Sequence, residues 1–264
     1  MGILEGKINQ IVKLGKICIK FPKVKYPWDD IQFEYKILQD LYHQGIKNVP
    51  KVYMMVNIPN KPILFYRYID GVPLTETLLV IKGKEIYESL ERIHRFQGSR
   101  WGNCLLSSNS LEEYLYEFSE YIQTFLHKTS LGRHINEKFQ LTKEFLELTE
   151  TISYKKVPVL VHGDVKPGNV IISSHNQLYF IDWGRSRFFL REYEFVVPYL
   201  HGYKKFASAL QSYFKSLNPE NITLSIAYHL LDLITCIIYD SQNIPLKIIL
   251  RYKRNMYKYW KGEF

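Results

Sequence analysis

The chain has 264 residues, of which 46% are apolar and 23% charged, and its formal net charge is +9 at pH 7. This length and composition predict a globular protein that buries a sizeable core, and they exclude a fibrous or disordered chain. Three widely spaced cysteines, an N-terminus without a signal-peptide pattern and the absence of any apolar run long enough for a membrane span predict a cytoplasmic protein with no transmembrane segment.

The first seventy residues predict a small antiparallel sheet with one helix. Strands are predicted over residues 8–13, 16–21, 52–56 and 63–68, and a helix over residues 31–41. Leu14 and Gly15 suit a tight turn between the first two strands, and Asp29 or Asp30 suits the helix cap. The pattern ends near Asp70, so we place an N-terminal lobe at residues 1–70 and a C-terminal lobe at residues 71–264.

The rest of the chain predicts mainly helices. Apolar residues recur at helical spacing over residues 86–93, 111–125, 139–148 and 203–217, and further helices are predicted from about Thr223 and about Pro245. Short strands return only around residues 159–182. A small sheet-containing lobe followed by a larger helical lobe predicts an α+β bilobal fold.

The strongest functional signal lies within those returning strands. Residues 161–170 read VHGDVKPGNV after an apolar strand, and residues 181–184 read IDWG at the end of the next apolar run. Asp164, Asn169 and Asp182 therefore supply a carboxylate, an amide and a second carboxylate at strand ends. Phosphoryl transfer of the kinase type uses such a set, because one carboxylate orients the attacking hydroxyl while the other two side chains hold Mg²⁺.

This segment resembles the aminoglycoside phosphotransferase and choline kinase branch of the protein-kinase-like fold, which carries His-Gly-Asp where protein kinases carry His-Arg-Asp. The resemblance implies an antiparallel-sheet N-lobe and a mainly helical C-lobe. It also implies Mg²⁺ as a cofactor and ATP as the phosphate donor, with GTP as the alternative donor. It assigns Asp164 to the acceptor hydroxyl, Lys166 to the γ-phosphate, and Asn169 and Asp182 to the metal. It implies that His162 packs beneath the loop and is not the catalytic base.

The same resemblance assigns nucleotide-binding residues in the first lobe. Lys20, at the end of the second strand, would hold the ATP phosphates, and Glu34 in the following helix would fix that lysine. The backbone at Arg67 and Ile69 falls where the family places the hinge that binds adenine.

Two departures from the family pattern are visible. The phosphate-covering loop is poor in glycine, which leaves Gly6 and Asn9 as its candidates. After Asp182, residues 185–192 contain no Gly-Asp-Pro-like element and no activation segment. The second departure disfavours a protein substrate.

Charge patterns do not identify the acceptor. Glu113, Glu117 and Glu120 share one helix face, which is either a solvated surface or a site for a cationic substrate. The last predicted helix carries a basic ridge of Lys247, Arg251, Arg254, Lys258 and Lys261. That ridge is either a solvated face or a contact surface for an anionic partner, and no nucleic acid is expected.

Three functions remain open from the sequence. The first is an ATP- and Mg²⁺-dependent phosphotransferase acting on a small-molecule hydroxyl, such as that of an aminoglycoside-like sugar, an amino-alcohol or another sugar, in a monomer or a dimer. The second is a kinase of a protein or a cell-envelope glycan. The third is a catalytically silent, spore-coat-like binding protein, which the complete set of candidate residues disfavours.

Overall fold

A five-stranded antiparallel sheet and one helix form the first part of the structure, a computed structural model. It describes residues 2–5, 9–22, 31–58, 61–103, 106–151, 157–213, 217–239, 249–250 and 253–254. The strands are β1 (Gly2–Glu5), β2 (Asn9–Leu14), β3 (Ile17–Pro22), β4 (Val52–Ile58) and β5 (Lys61–Arg67), and the helix is α1 (Ile31–His43). Their order in the sheet is β1-β2-β3-β5-β4. The strands and the helix predicted before residue 70 are confirmed, with β1 as an addition.

The turn between β2 and β3 explains the register of this sheet. Gly15 has a φ of 59°, which a tight turn between antiparallel strands favours and which glycine adopts without strain. Lys20 on β3 therefore pairs with Ile11 of β2, and on its other side it pairs with Leu64 of β5.

Seven helices dominate the described residues after β5. They are α2 (Glu76–His94), α3 (Leu111–His127), α4 (Ser130–Phe139), α5 (Leu141–Thr149), α6 (Tyr193–Leu200), α7 (Lys204–Tyr213) and α8 (Pro219–Tyr239). The predicted helices that fall on these residues are confirmed, while α4 and α6 were not predicted. The helix predicted from Pro245 lies mostly outside the described residues, and of its basic ridge only Arg254 is described, with an exposed side chain.

Seven short strands form two further sheets. They are β6 (Gly71–Pro73), β7 (Trp101–Gly102), β8 (Ser107–Ser108), β9 (Val159–Val161), β10 (Val170–Ser173), β11 (Leu178–Phe180) and β12 (Arg187–Phe189). Their orders are β11-β10-β6 and β8-β7-β12-β9. The first sequence motif therefore connects β9 to β10, and the second connects β11 to β12, so that both motifs leave strand ends.

Two groups of buried apolar side chains hold these elements together. The larger group packs α3 and α8 against β12, with Phe118 and Tyr228 stacked at a centroid distance of 4.1 Å. The second joins α1 and α2 to β10 and β11 through residues such as Leu41, Leu90 and Phe180. Because each fully buried side chain of this kind contributes about 1.5–3 kcal/mol, the second group fixes α1 against the strands that carry the motifs. The predicted α+β fold, with an antiparallel sheet first and mainly helices after it, is confirmed.

Across the described helices, none combines the length and the apolar character that crossing a membrane requires.

Candidate active site

His162 connects the two motif loops. It is fully buried directly after β9, where its ring Nε2 donates a hydrogen bond to the carbonyl oxygen of Ile181 at 2.9 Å. Its Nδ1 accepts the backbone N–H of Asp164 at 3.3 Å. Both ring nitrogens are thus engaged with backbone, and the ring positions Asp164 relative to the residue that precedes Asp182.

Asp164 is almost fully buried, and its carboxylate binds two neighbouring side chains. Lys166 Nζ lies 2.5 Å from Oδ2, and Asn169 Nδ2 donates to Oδ2 and to the Asp164 carbonyl oxygen at 2.9 Å each. The short 3₁₀ turn Pro167–Asn169 brings Asn169 back toward Asp164. Both contacts to the carboxylate use Oδ2, so among the described residues Oδ1 is left to accept a hydrogen bond from a bound hydroxyl.

Lys20, Glu34 and Asp182 form a chain of ion pairs between β3, α1 and the second motif. Lys20 Nζ lies 2.7 Å from Glu34 Oε2 and 2.7 Å from Asp182 Oδ1. Glu34 Oε1 also accepts the backbone N–H of Trp183 at 3.2 Å. Lys20 and Glu34 are almost fully buried, whereas the Asp182 side chain is 42% exposed. The fold therefore brings together three predicted site residues, although Lys20 and Asp182 are 162 positions apart.

The electrostatics of Asp182 follow from this arrangement. The nearby Lys20 ammonium lowers the pKa of Asp182 from its ordinary value of 3.8 to about 2, against an opposing effect of partial desolvation. The backbone of Asp182 has a φ of 65°, a left-handed conformation that is uncommon for a residue other than glycine. Such backbone strain concentrates at functional sites. Asp182 is therefore a fixed anion at neutral pH.

The family of the chain follows from a match to the model of the phosphotransferase enzyme family over residues 4–218. The chain belongs to this phosphotransferase family. The enzyme class predicted from the sequence, a phosphotransferase, is confirmed. A search of curated proteins found no match.

Three solved structures are similar to the phosphotransferase over almost the whole of its chain. The aminoglycoside phosphotransferase APH(4)-Ia has a TM-score of 0.70 at 14% identity, with 100% of this chain and 94% of that chain covered. Choline kinase LicA from Streptococcus pneumoniae has a TM-score of 0.64 at 17% identity, with 99% and 94% covered. Spectinomycin phosphotransferase APH(9)-Ia, in complex with ADP and spectinomycin, has a TM-score of 0.59 at 14% identity, with 100% and 88% covered. At these identities the likeness shows a shared fold.

The side chains of Asn169 and Asp182 fit a magnesium ion. Asn169 donates through Nδ2, which leaves its Oδ1 for a ligand, and Asp182 offers an ionised carboxylate. The described residues contain no group of three or more metal-binding side chains that could hold an ion without other ligands. Mg²⁺ at phosphoryl-transfer sites is usually held by one or two protein oxygens together with phosphate and water oxygens. One oxygen each from Asn169 and Asp182 is therefore sufficient.

Of the remaining predicted nucleotide-binding residues in the described part of the chain, Arg67 ends β5 and Ile69 follows it. The Arg67 N–H donates to the carbonyl oxygen of Lys51 at 2.8 Å, whereas the Ile69 N–H makes no backbone hydrogen bond to another described residue. Of these two amides, the one at Ile69 is thus available to a nucleotide base. Asn9 is buried at the start of β2, and Gly6 lies outside the described residues.

Glu194 on α6 was missed by the sequence analysis. It is fully buried, and its Oε1 accepts the backbone N–H of His162, the first residue of the motif loop. His94 Nε2 approaches the same oxygen at 4.0 Å. The available signal was a carboxylate inside an otherwise apolar run, Tyr193–Leu200, since such residues are seldom buried without a partner.

A buried ion pair beside the second motif was also missed. Arg185 follows the IDWG segment, and its Nη2 lies 3.1 Å from Oδ2 of Asp232 on α8 and 3.1 Å from Cys236 Sγ. Asp232 is fully buried, and removal of either charge would leave the other without compensation. Asp232 interrupts an apolar helix, which was the signal in the sequence.

Proposed function

We propose that the phosphotransferase moves the γ-phosphate of ATP, in the presence of Mg²⁺, to a hydroxyl group of a small molecule. The observation that carries this proposal is the joint geometry of Lys20, Glu34 and Asp182 on one side and Asp164 and Asn169 on the other. His162 links the two groups through its bonds to Ile181 and Asp164. Kinase-type phosphoryl transfer depends chiefly on such positioning and on charge stabilisation.

The proposed reaction assigns one role to each side chain. Asp164 Oδ1 accepts a hydrogen bond from the acceptor hydroxyl and aims its oxygen at the γ-phosphorus. The new oxygen–phosphorus bond forms as the bond between the γ-phosphorus and the β–γ bridging oxygen breaks, ADP leaves, and the hydroxyl proton passes to Asp164 or to solvent. Lys20 and Lys166 bind phosphate oxygens. Mg²⁺, held by Asn169 and Asp182, would neutralise charge that develops on the phosphates.

The connection after Asp182 supports a small acceptor over a protein. From Gly184 the chain enters β12 at Arg187 and reaches α6 at Tyr193. This path leaves no long segment on which a peptide substrate could lie. A protein or glycan acceptor is therefore less well supported than a small molecule.

The acidic face of α3 does not by itself distinguish a polycationic acceptor from a neutral one. Glu117 accepts a hydrogen bond from Ser108 Oγ, Glu113 accepts the backbone N–H of Asn109, and Glu120 accepts the hydroxyl of Tyr116. Each carboxylate thus has a local partner on or next to its own helix. Amino-alcohols and neutral sugars remain candidates beside aminoglycoside-like sugars.

The test is a screen of these acceptors with purified protein, Mg²⁺ and either ATP or GTP. We expect ADP formation together with an acceptor whose mass has increased by one phosphate. Asp164→Asn should lower kcat by about 10²–10⁴-fold while the KM for ATP stays nearly unchanged, because Asp164 addresses the acceptor. Glu88→Gln, a change of an exposed carboxylate on α2, is the matched control and should leave kcat unaltered.

Two results would decide against the proposal. Absence of nucleotide binding in a thermal-shift assay would exclude every kinase function. Nucleotide binding without transfer to any acceptor or to water would instead identify a catalytically silent binding protein.

A further inference from the structure

A groove lies on the part of the surface where the end of α1, the end of α2 and the β10–β11 hairpin meet. Its main cavity has a volume of about 620 Å³, and an adjoining pocket of about 230 Å³ shares Lys47 and Tyr179 with it. Neither Asp164 nor Asp182 lines either part, while Arg67 and Ile69, the positions that the family resemblance assigns to the hinge, line the smaller pocket. We call the two cavities together the basic groove.

The charges that line the basic groove are strongly unbalanced. Its five cationic side chains are Lys47, Lys51, Arg67, Arg92 and Arg95, and all are exposed. The one acidic side chain among its lining residues is Glu85, whose Oε2 already binds Lys82 Nζ at 2.6 Å. None of the five cations forms an ion pair with a carboxylate in the described part of the chain, whereas Lys20, Lys166 and Arg185 all do.

Interactions that stabilise the fold explain only some of the positive charges in the basic groove. Arg92 and Arg95 lie at the carboxyl end of α2, where cations interact favourably with the helix dipole. Lys47, Lys51 and Arg67 come from other segments of the chain and gain nothing from that helix. Like charges gathered from separate elements repel one another unless an anion lies between them.

Aromatic side chains accompany the cations. Lys47 Nζ lies 3.4 Å from the centroid of the Tyr42 ring, and Lys51 Nζ lies 5.7 Å from it. Phe96 and Tyr179 add two partly buried rings to the lining. Cations combined with rings suit a ligand that carries both phosphate groups and a planar ring, since arginine binds phosphate through a two-pronged set of donors.

We propose that the basic groove is a second binding site, distinct from the site of Asp164 and Asp182, for a nucleotide-sized ligand with at least two phosphate groups. The volume of the main cavity falls within the range of about 300–1,000 Å³ that is typical of small-molecule sites. One wall comes from residues 44–51 and the other from α2 and β11, and these walls already touch where Phe180 N–H donates to the Asn48 carbonyl oxygen at 2.9 Å. A ligand in the groove would therefore link the first part of the chain to the strands that carry the motifs.

Binding of inorganic tripolyphosphate, measured by isothermal titration calorimetry with EDTA present, tests the proposal without requiring turnover. Arg92→Ala combined with Arg95→Ala should weaken binding by about tenfold or more, because two charge-assisted contacts are lost. The control combines Lys84→Ala with Arg133→Ala, which removes the same charge from exposed helix positions outside the groove and should change affinity less than about twofold. Equal affinity of the groove variant and the wild type would overturn the proposal.

Two further measurements identify what the site recognises. ADP without metal should also lose affinity in the groove variant, and ADP binding tighter than tripolyphosphate would show that the aromatic side chains contribute. Hydrogen exchange with tripolyphosphate bound should show protection of residues 44–48 together with residues 176–179. Protection confined to residues 162–169 and 182 would place all binding in the active site and contradict the proposal.

Discussion

At the scale of single residues, the two motif aspartates lie in different environments. Asp164 is buried and shares Oδ2 with Lys166 and Asn169, while Asp182 is partly exposed and binds Lys20. This difference matches the two proposed tasks, since one carboxylate must orient a hydroxyl and the other must hold a hydrated cation. The roles of both residues stay predictions until variants are assayed.

The pKa of Asp182 gives a prediction at this scale. Because Lys20 lowers that pKa from 3.8 to about 2, the ionised carboxylate stabilises the folded state above about pH 4, and the contribution is lost as pH falls through about 2. Lys20→Met should therefore raise the pKa of Asp182, as measured by NMR titration of the carboxyl carbon. Lys166→Met should raise it less, because Lys166 has the weakest of the interactions that lower it. An equal shift in both variants, or none with Lys20→Met, would contradict the assignment.

At the scale of elements, the loop between β9 and β10 depends on one glycine. Gly163 has a φ of 78°, and a Cβ atom added there would lie 2.3 Å from the Arg185 carbonyl oxygen. The two motif loops are therefore in backbone contact at this point. Gly168 in the same loop has no left-handed φ, and a Cβ atom added there would meet nothing within 4 Å.

These two glycines make a matched pair for a stability measurement. We expect Gly163→Ala to lower the free energy of unfolding by about 2 kcal/mol or more, from left-handed strain and the backbone clash. Gly168→Ala should change it by less than about 1 kcal/mol, since alanine also reduces the freedom of the unfolded chain. Urea denaturation of both variants checks the prediction, and similar losses in the two would contradict it.

Two helices show why some elements escaped prediction. Residues 130–139 of α4 are mainly polar and carry few apolar side chains at helical spacing, while residues 193–200 of α6 are almost uniformly apolar and include Pro198. Neither a mainly polar segment nor a uniformly apolar one shows the apolar repeat that predicts a helix. Packing within the helical core determined both elements.

At the scale of the whole molecule, a polar network crosses the larger core. The Arg187 Nη1 donates to the Tyr228 hydroxyl at 2.5 Å, and that hydroxyl is 2.7 Å from the Tyr114 hydroxyl. All three residues are fully buried. The network connects β12, which follows the second motif, to α3 and α8.

Removal of one hydroxyl from this network should destabilise the fold. Tyr228→Phe leaves a buried Arg187 donor without its acceptor and the buried Tyr114 hydroxyl without its partner, so we expect the free energy of unfolding to fall by about 1–3 kcal/mol. Tyr116→Phe is the control, because Tyr116 is exposed and bonds only to Glu120 in the described structure, and it should give no measurable change. Thermal and urea unfolding of both variants provide the test. An unchanged Tyr228→Phe variant would show that the network contributes no stability.

The sequence by itself determined the fold class and most of the elements, and its resemblance to a known family predicted the phosphotransferase chemistry. Apolar periodicity predicts strands and helices, and Asp164, Asn169 and Asp182 are predicted site residues because their types and spacing match the motif of that family. Only the tertiary structure decided which distant side chains meet: Lys20 with Asp182, Glu194 with the His162 amide, and Arg185 with Asp232. Burial and charge pairing depend on long-range packing, which no local pattern records, and the basic groove became visible only once separate segments lay side by side.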